Sequence, residues 1–252
     1  MKIISWNVNG IRSAYKKNFL EFITQENPDI VCLQEIKAQE NDLPFDLRLI
    51  PGYTLYVNSA EKKGYSGTAV YTKTKPLAVN TVLGFNRFDK EGRIIELSFE
   101  NFTLINLYIP HGGRQKENLG YKLEVYKYLL AKFKKLQHNN VILMGDFNIA
   151  HKEIDLARPQ QNKDNIMFTP KEREQLDVLV GLGFVDSFRA FDQKPGNYTW
   201  WPYAFGAKEK NMGWRIDYGF VSKPFVNNLK DAVIYSQVSG SDHCPAGLKL
   251  DI

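Results

Sequence analysis

The feature that most constrains this chain is a recurrence of short apolar runs, each of which stops abruptly on polar residues. Eight such runs are evident: Ile3–Trp6, Ile30–Leu33, Thr68–Tyr71, Ile94–Phe99, Thr103–Leu107, Val141–Met144, Ile216–Val221 and Ala246–Leu250. Their length and β-branched content predict strands. Within Ile94–Phe99 the apolar Ile95, Leu97 and Phe99 alternate with Glu96 and Ser98, which predicts an antiparallel strand with one half-exposed face. Helices are fewer. The clearest spans about Leu119–Leu136, where Leu123, Tyr126, Leu129, Leu130, Phe133 and Leu136 form one stripe that must cover a sheet. A second begins at Thr169–Pro170, with Glu172 completing a capping box, and should end near Gly181 or Gly183. No Ser/Gly linker, low-complexity stretch or fixed-period repeat breaks residues 1–252, so one domain is expected. Many strands with a handful of helices, in no regular βαβ alternation, point to two packed sheets flanked by helices.

Composition narrows the function classes. With 43% hydrophobic and 24% charged residues the chain is a globular protein, not a disordered tail. The net charge of +5 is a mild bias toward polyanions, and its scattered groups, such as Lys132, Lys134 and Lys135, mean that a polyanion would meet a folded surface. Cys32 and Cys244 stand alone, which indicates buried thiols without a zinc site or disulfide framework. No apolar stretch reaches membrane-spanning length and no signal peptide is visible, so no membrane partner and a cytoplasmic location are expected.

The strand ends carry the chemistry. The first run leads into Asn7 and Asn9, the second into Gln34 and Glu35, the fifth into Tyr108 and His111, and the sixth into Asp146 and Asn148; Asp217 follows Trp214 and Ile216, and Ser241 precedes Asp242 and His243. Taken singly, Asn and Asp at a strand end make turns. Six cases together, brought to one rim, assemble carboxylates, amides, a phenol and an imidazole, the outline of a hydrolytic metal site. No GxSxG elbow, GxxxxGK[ST] loop, HExxH helix or GxGxxG fingerprint is present. Oxygen donors with few histidines suit a hard cation, Mg2+ or in its place Mn2+, and such sites pair with phosphate chemistry.

The segments Ser5–Gly10 (SWNVNG), Leu33–Lys37 (LQEIK), Gly145–Asn148 (GDFN), Asn211–Asp217 (NMGWRID) and Gly240–His243 (GSDH) together resemble the exonuclease III family of abasic-site endonucleases, within the endonuclease/exonuclease/phosphatase superfamily. The likeness runs in order from Lys2 to the C-terminus and implies a four-layer α/β sandwich of DNase I-like type, two mixed sheets flanked by helices, with the site at one rim. It implies Glu35 as first metal ligand, with Asn7 and Asn9 on the metal or its waters; many members have an acid at the second position, so Asn9 lowers the local negative charge. Asp146 is expected to be the general base or to orient the water, Asn148 to donate to the phosphate, and Asp217 to orient His243 so that its imidazole presents a donor. Asp242 is either a second metal contact or a proton donor to the leaving group. Tyr108 is expected either to contact the scissile phosphate or to help the leaving group, whereas His138 and His151 lack a comparable acidic constellation and read as structural.

The superfamily also holds phosphatases of lipid and inositol headgroups, so the loops must decide the substrate. Between Tyr198 and Asp217 aromatics interleave with Lys208 and Lys210, which suits phosphates packed beside unstacked nucleotides. By resemblance Trp200, Trp214 and Ile216 line an apolar pocket for a flipped-out sugar without its base, which costs less to extrude than an intact nucleotide. Asn162 and Asn165 match family positions beyond the lesion, and Arg12, Lys37 and Arg114 are candidate backbone contacts. His111 stands where the family often has asparagine, and Ala204 where some relatives insert a bulkier side chain into DNA. The expected activity is hydrolysis 5′ to abasic sites in duplex DNA, leaving a 3′ hydroxyl and a 5′ deoxyribose phosphate, with 3′ to 5′ exonuclease and 3′-end trimming, by a monomer. The alternatives are a headgroup phosphodiesterase and a non-enzymatic damage binder; the tryptophan loops oppose the first, and intact Glu35, Asp146 and His243 the second.

Overall fold

The computed structural model describes residues 1–204 and 206–252. The first part of the chain lays down β1 (Lys2–Asn7), α1 (Ile11–Tyr15), α2 (Phe19–Glu26), β2 (Ile30–Gln34), α3 (Phe45–Arg48), β3 (Thr54–Asn58) and β4 (Thr68–Thr72). The middle adds β5 (Ala78–Asn80), α4 (Asn86–Lys90), β6 (Ile94–Ser98), β7 (Thr103–Tyr108), α5 (Leu119–Leu136), β8 (Val141–Asp146), α6 (Pro170–Gly181), β9 (Phe184–Asp186) and β10 (Asp217–Ser222). The chain then returns with β11 (Leu229–Ile234) and β12 (Ala246–Leu250). One six-stranded sheet has the order β11-β12-β1-β2-β4-β3 and the other β5-β6-β7-β8-β10-β9. Each has a single parallel pair near its centre, β1 with β2 and β7 with β8, and antiparallel neighbours elsewhere.

Strand alternation explains the layering. Ile3, Ile30, Cys32 and Val70 face Ile95, Leu97, Leu104, Ile142 and Met144 between the sheets. Their sequence neighbours Ile4, Val31, Leu33 and Tyr71 point the other way, into a core shared with Phe19, Phe22 and Leu47 of α2 and α3. On the second sheet Ile105, Leu107, Leu143 and Phe220 pack beneath Val125, Leu129 and Phe133 of α5 and Leu176 and Leu179 of α6. A period of two on each strand thus serves two cores, giving the expected α/β/β/α sandwich. Strand β6 is antiparallel to both neighbours, as its alternation predicts, but its Glu96 face lies under α5, where Lys132 pairs with Glu96 at 2.6 Å.

Two helices match their sequence signals closely. Thr169 and Glu172 cap α6 reciprocally, and the helix ends at Gly181. The stripe of α5 is turned relative to expectation: Leu123 is only half-buried, whereas Val125 and Lys122 are fully buried. Among the described residues no helix is long and apolar enough to cross a membrane.

Beneath the rim the two sheets are fastened by buried amides. Gln34 Nε2 donates to Ser5 Oγ at 2.9 Å and across the interface to Asn106 Oδ1 at 2.7 Å, while Asn106 Nδ2 donates to the carbonyls of Leu33 and Ala69. Nonpolar packing alone would leave the sheets free to slide, and directional bonds among fully buried groups fix their register. Gly145, at φ 142°, lets β8 approach β7: a Cβ there would lie 2.0 Å from the Leu107 carbonyl oxygen. The residue that follows is Asp146.

Candidate active site

Three neighbouring strands of the second sheet end together, so Tyr108, Asp146 and Asp217 stand side by side in register. The first sheet delivers Asn7 at the end of β1 and Glu35 just beyond β2. Asn7 Nδ2 spans the gap, donating to Glu35 Oε1 at 3.0 Å and to Asp146 Oδ2 at 2.9 Å. His243, ahead of β12, completes a group in which one ligand atom each from Glu35, Asp146 and His243 lies within 4.8 Å of the others.

His243 is fixed from both ends. Its Nδ1 meets Asp217 Oδ2 at 2.9 Å, and its carbonyl accepts from the indole Nε1 of the buried Trp6 at 3.1 Å. That leaves Nε2 for the rim. Thr199 Oγ1 accepts the N–H groups of Ile216 and Asp217, both at 3.1 Å, and holds the start of β10. Burial alone would lower the His243 pKa, but the charge and hydrogen bond of Asp217, with Asp146 and Asp242 beyond, raise it to about 10, so the imidazole is cationic at neutral pH. Burial, reinforced by the Asp217 charge, raises Asp146 to about 8, against opposing effects of His243 and Asn7. Burial also works to raise Glu35, but the Lys37 charge and the Asn7 and Lys37 hydrogen bonds prevail and lower it. Tyr108 is raised by burial and then by the Glu35 charge, which keeps its phenol a proton donor.

The turns that present these groups are conformationally costly. Asn9, Glu35, Lys37 and Asn148 all have left-handed backbones, with φ of 43°, 50°, 51° and 53°. Asparagine tolerates this; glutamate and lysine do so at a cost of about 1 kcal/mol or more each, and such outliers concentrate at functional sites. At Asn148 the turn lets the backbone N–H donate to Asp146 Oδ1 at 2.8 Å while Nδ2 donates to Asp146 Oδ2 at 3.0 Å and to the Ile109 carbonyl at 2.9 Å.

Asp242, read from sequence as a metal contact or a proton donor, stands outside the Glu35–Asp146–His243 group and is tied to Asn9. Asn9 Nδ2 donates to Asp242 Oδ1 at 2.9 Å, and Trp200 Nε1 donates to Asp242 Oδ2 at 3.0 Å, so both oxygens of Asp242 are already engaged. Lys37, read as a DNA-backbone contact, is turned inward: it pairs with Glu35 at 2.9 Å and donates to Asn9 Oδ1. Trp214 and Ile216 share an apolar cluster with Ile166 and Phe168, and Trp200 packs against it, its ring 6.4 Å from that of His243. Ile216 and Trp214 are 1% and 8% exposed, so both are core residues, and Trp200 alone of the three is half-buried. Asn162 and Asn165 lie together, joined at 2.8 Å, and Arg12 and Arg114 are exposed. His111 is half-buried, its Nδ1 accepting from the Gly113 N–H at 3.2 Å, and burial, with the charge of Lys122, lowers its pKa, so the ring is neutral near pH 7. His151 pairs with Asp177 at 2.9 Å and His138 is exposed.

Sequence reasoning missed Arg93, whose guanidinium lies 4.4 Å from the Tyr108 ring centroid and donates to the Tyr108 carbonyl at 3.1 Å and to Tyr65 Oη at 3.0 Å. It also missed Lys122, Trp6 and the Gln34–Asn106 clasp. A polar residue in an otherwise apolar stripe or strand was the signal available for Lys122 and Asn106.

The profile of the endonuclease/exonuclease/phosphatase family matches residues 4–243. The chain belongs to that family. It is 44% identical over 255 residues to an exodeoxyribonuclease of Bacillus subtilis, covering all of both proteins. It is 41% identical over 257 residues to a DNA-(apurinic or apyrimidinic site) endonuclease of Dictyostelium discoideum, covering all of this chain and 71% of that one. Among solved structures, an AP endonuclease from Archaeoglobus fulgidus superposes with a TM-score of 0.89 at 27% identity, and a 3′ phosphatase from Neisseria bound to a product DNA hairpin with 0.92 at 26%, each covering both chains completely. The motif resemblance and the four-layer architecture therefore agree with independent sequence and structural relatives. For this family member the donor set fits a hard cation: Glu35 and Asp146 supply oxygens, and Asp217 Oδ1 beside them is buried without a hydrogen-bond partner.

Proposed function

We propose that the protein is a magnesium-dependent DNA repair nuclease that hydrolyses the phosphodiester 5′ to an abasic site in duplex DNA, releasing a 3′ hydroxyl and a 5′ deoxyribose phosphate. It acts as a monomer in the cytoplasm and also trims 3′ ends. The observation that carries this reading is a cationic donor, His243, and two carboxylates, Glu35 and Asp146, on one rim directly beside the Trp200–Trp214 cluster. The relatives that cut DNA, and the Neisseria phosphatase with its DNA product, support a nucleic-acid substrate.

Each residue then has a task. His243, held by Asp217, donates from Nε2 to a nonbridging phosphate oxygen, while Asn148, whose amide is spent on Asp146 and the Ile109 carbonyl, fixes the carboxylate beside it. Asp146, once ionised, takes a proton from the attacking water, whose oxygen bonds to phosphorus as the bond to the 3′ oxygen breaks. Glu35, with Asn7 beside it, would hold the cation, Mg2+ or Mn2+ in its place, whose charge neutralises the phosphate and favours ionised Asp146. Tyr108, its phenol kept protonated and its ring backed by Arg93, gives its proton to the departing 3′ oxygen, which leaves as the hydroxyl. The apolar cluster around Trp200 suits a sugar without a base, and extruding an intact, stacked and paired nucleotide is the costlier event.

The test uses four substrates: a duplex with one abasic site, the undamaged duplex, a 3′-phosphate duplex and a phosphoinositide, each with Mg2+ and then with chelator. Chelator-sensitive incision at the abasic site, with slower 3′ trimming, is expected. Headgroup release without DNA incision would replace this reading with the phosphatase one, and tight binding without cutting with that of a damage binder.

A further inference from the structure

One buried ion pair takes no part in the chemistry above. Lys122, in the first turn of α5, and Glu172, in the first turn of α6, are both fully buried and lie 2.6 Å apart. The remaining capacity of each is spent on backbone. Lys122 Nζ donates to the Asn148 carbonyl at 2.6 Å and to the His111 carbonyl at 3.1 Å. Glu172 accepts from the Met167 N–H at 3.0 Å and, through its other oxygen, from the Thr169 N–H and hydroxyl at 3.1 and 2.7 Å.

Glu172 also caps α6, but that role needs no buried ammonium, and apolar residues of similar volume usually serve a core as well as or better than an ion pair. The geometry gives the pair a reason. The ammonium sits where three rim loops meet: the one after β7 with His111 and Arg114, the turn after β8 with Asn148, and the segment with Asn162 and Asn165 that ends at Met167. Two of the groups the pair holds have left-handed backbones, Asn148 at φ 53° through Lys122 and Met167 at φ 72° through Glu172, conformations that need external restraint. A methionine in place of Lys122 could fill the space, but it could not hold two carbonyls. The fit is close on the other side as well, since a Cβ on Gly112 would lie 3.3 Å from Lys122 Cδ.

We propose that Lys122 and Glu172 are positioning residues that set the three rim loops in mutual register, chiefly by fixing the Asn148 turn, whose backbone N–H and side-chain amide hold both oxygens of Asp146. This rests on the reading of Asp146 as the group that takes the proton of the attacking water. The ion pair touches no substrate; it acts through the loops.

The test compares K122M, E172Q and K122M/E172Q in the full chain. The double variant removes both charges and keeps one amide oxygen, enough for the Thr169 donors or for Met167 but not for both. Single K122M leaves an unpaired buried carboxylate and should lose the most stability, with the double variant recovering much of it. If the pair positions the loops, kcat on the abasic duplex does not recover with stability: it stays down by about tenfold or more, with KM changed less than about threefold. Amide exchange at Asn148 and at residues 111–113 should also quicken in the double variant. A stable double variant with wild-type kcat and unchanged exchange overturns the proposal. If the wild-type chain leaves abasic DNA intact, the reading of the site has failed, and the exchange measurement alone then decides whether the pair holds the loops.

Discussion

Replacing Asp146 with asparagine should abolish incision and, without metal, make the protein more stable. Asp146 is 1% exposed and its folded pKa is raised from 3.8 to about 8, by burial first and by Asp217 second. A carboxyl with a raised folded pKa contributes most below the unfolded value, and that contribution is lost as pH rises toward the folded one. At pH 7 the chain therefore sacrifices roughly three tenfold steps in proton affinity, about 4 kcal/mol at about 1.4 kcal/mol per step, to keep this group. Asparagine carries no such penalty. It has one oxygen where Asp146 uses two, accepting from the Asn148 N–H, Asn7 Nδ2 and Asn148 Nδ2, so at least one donor is left facing an amide. That costs about 2 kcal/mol, for a net gain of about 2 kcal/mol at pH 7, or roughly 4–8 °C in a chain of this size.

The assay is thermal denaturation of wild type and D146N in chelator at pH 5, 7 and 8, with DNA binding measured in parallel. The difference should be near zero at pH 5, where only about one tenfold step has been lost, and should widen toward pH 8. DNA affinity should change little. A variant less stable than wild type at pH 8, or a difference that does not vary with pH, would show that Asp146 is an ordinary ionised carboxylate and would remove the basis for assigning it the proton transfer.

Other perturbations test the frame around it. Gly145→Ala forces a Cβ to within 2.0 Å of the Leu107 carbonyl oxygen, so β8 must separate from β7; a loss of about 3 kcal/mol or more is expected in a denaturant titration. Millimolar Mg2+ should raise the wild-type melting temperature by binding the folded state alone, and Glu35→Ala should erase that rise; an equal rise in both would move the cation elsewhere. Trp200→Phe keeps a ring on the apolar cluster and removes the 3.0 Å bond to Asp242; stability should stay within about 1 kcal/mol while incision slows several-fold, and unchanged incision would make the indole mere packing.

How much of this was legible in the sequence follows from which interactions are local. Strand period and helix caps are local, so β1, β2, β4, β6, β7, β8, β10, β12, α5 and α6 were readable within a residue or two. The strands passed over lack that signal: β5 and β9 have three residues each, β3 is a half-exposed edge, and β11 carries Lys230 and Asp231 in its middle. Convergence of Asn7, Glu35, Tyr108, Asp146, Asp217 and His243 was foreseeable because each closes or adjoins a strand, and strand ends in a sandwich share a rim. The pairings among them were not. Lys37 and Arg114 look alike in sequence, yet one is drawn inward by Glu35 while the other stays in solvent.

Buried polar groups were hidden for a related reason. Lys122 interrupts an apolar stripe and, by periodicity alone, reads as a residue at the margin of the helix face. Its partners, Glu172 and the carbonyls of His111 and Asn148, lie 50, 11 and 26 residues away, and only the fold brings them to one point. The same holds for the strain at Glu35 and Lys37, since nothing in a glutamate or lysine codon announces a left-handed backbone. Both features oppose stability and both surround the catalytic rim, as expected where the fold sacrifices stability to hold reactive groups in place. If that is the trade, variants that relax the rim should gain stability and lose rate together, which is the joint outcome that D146N is designed to measure.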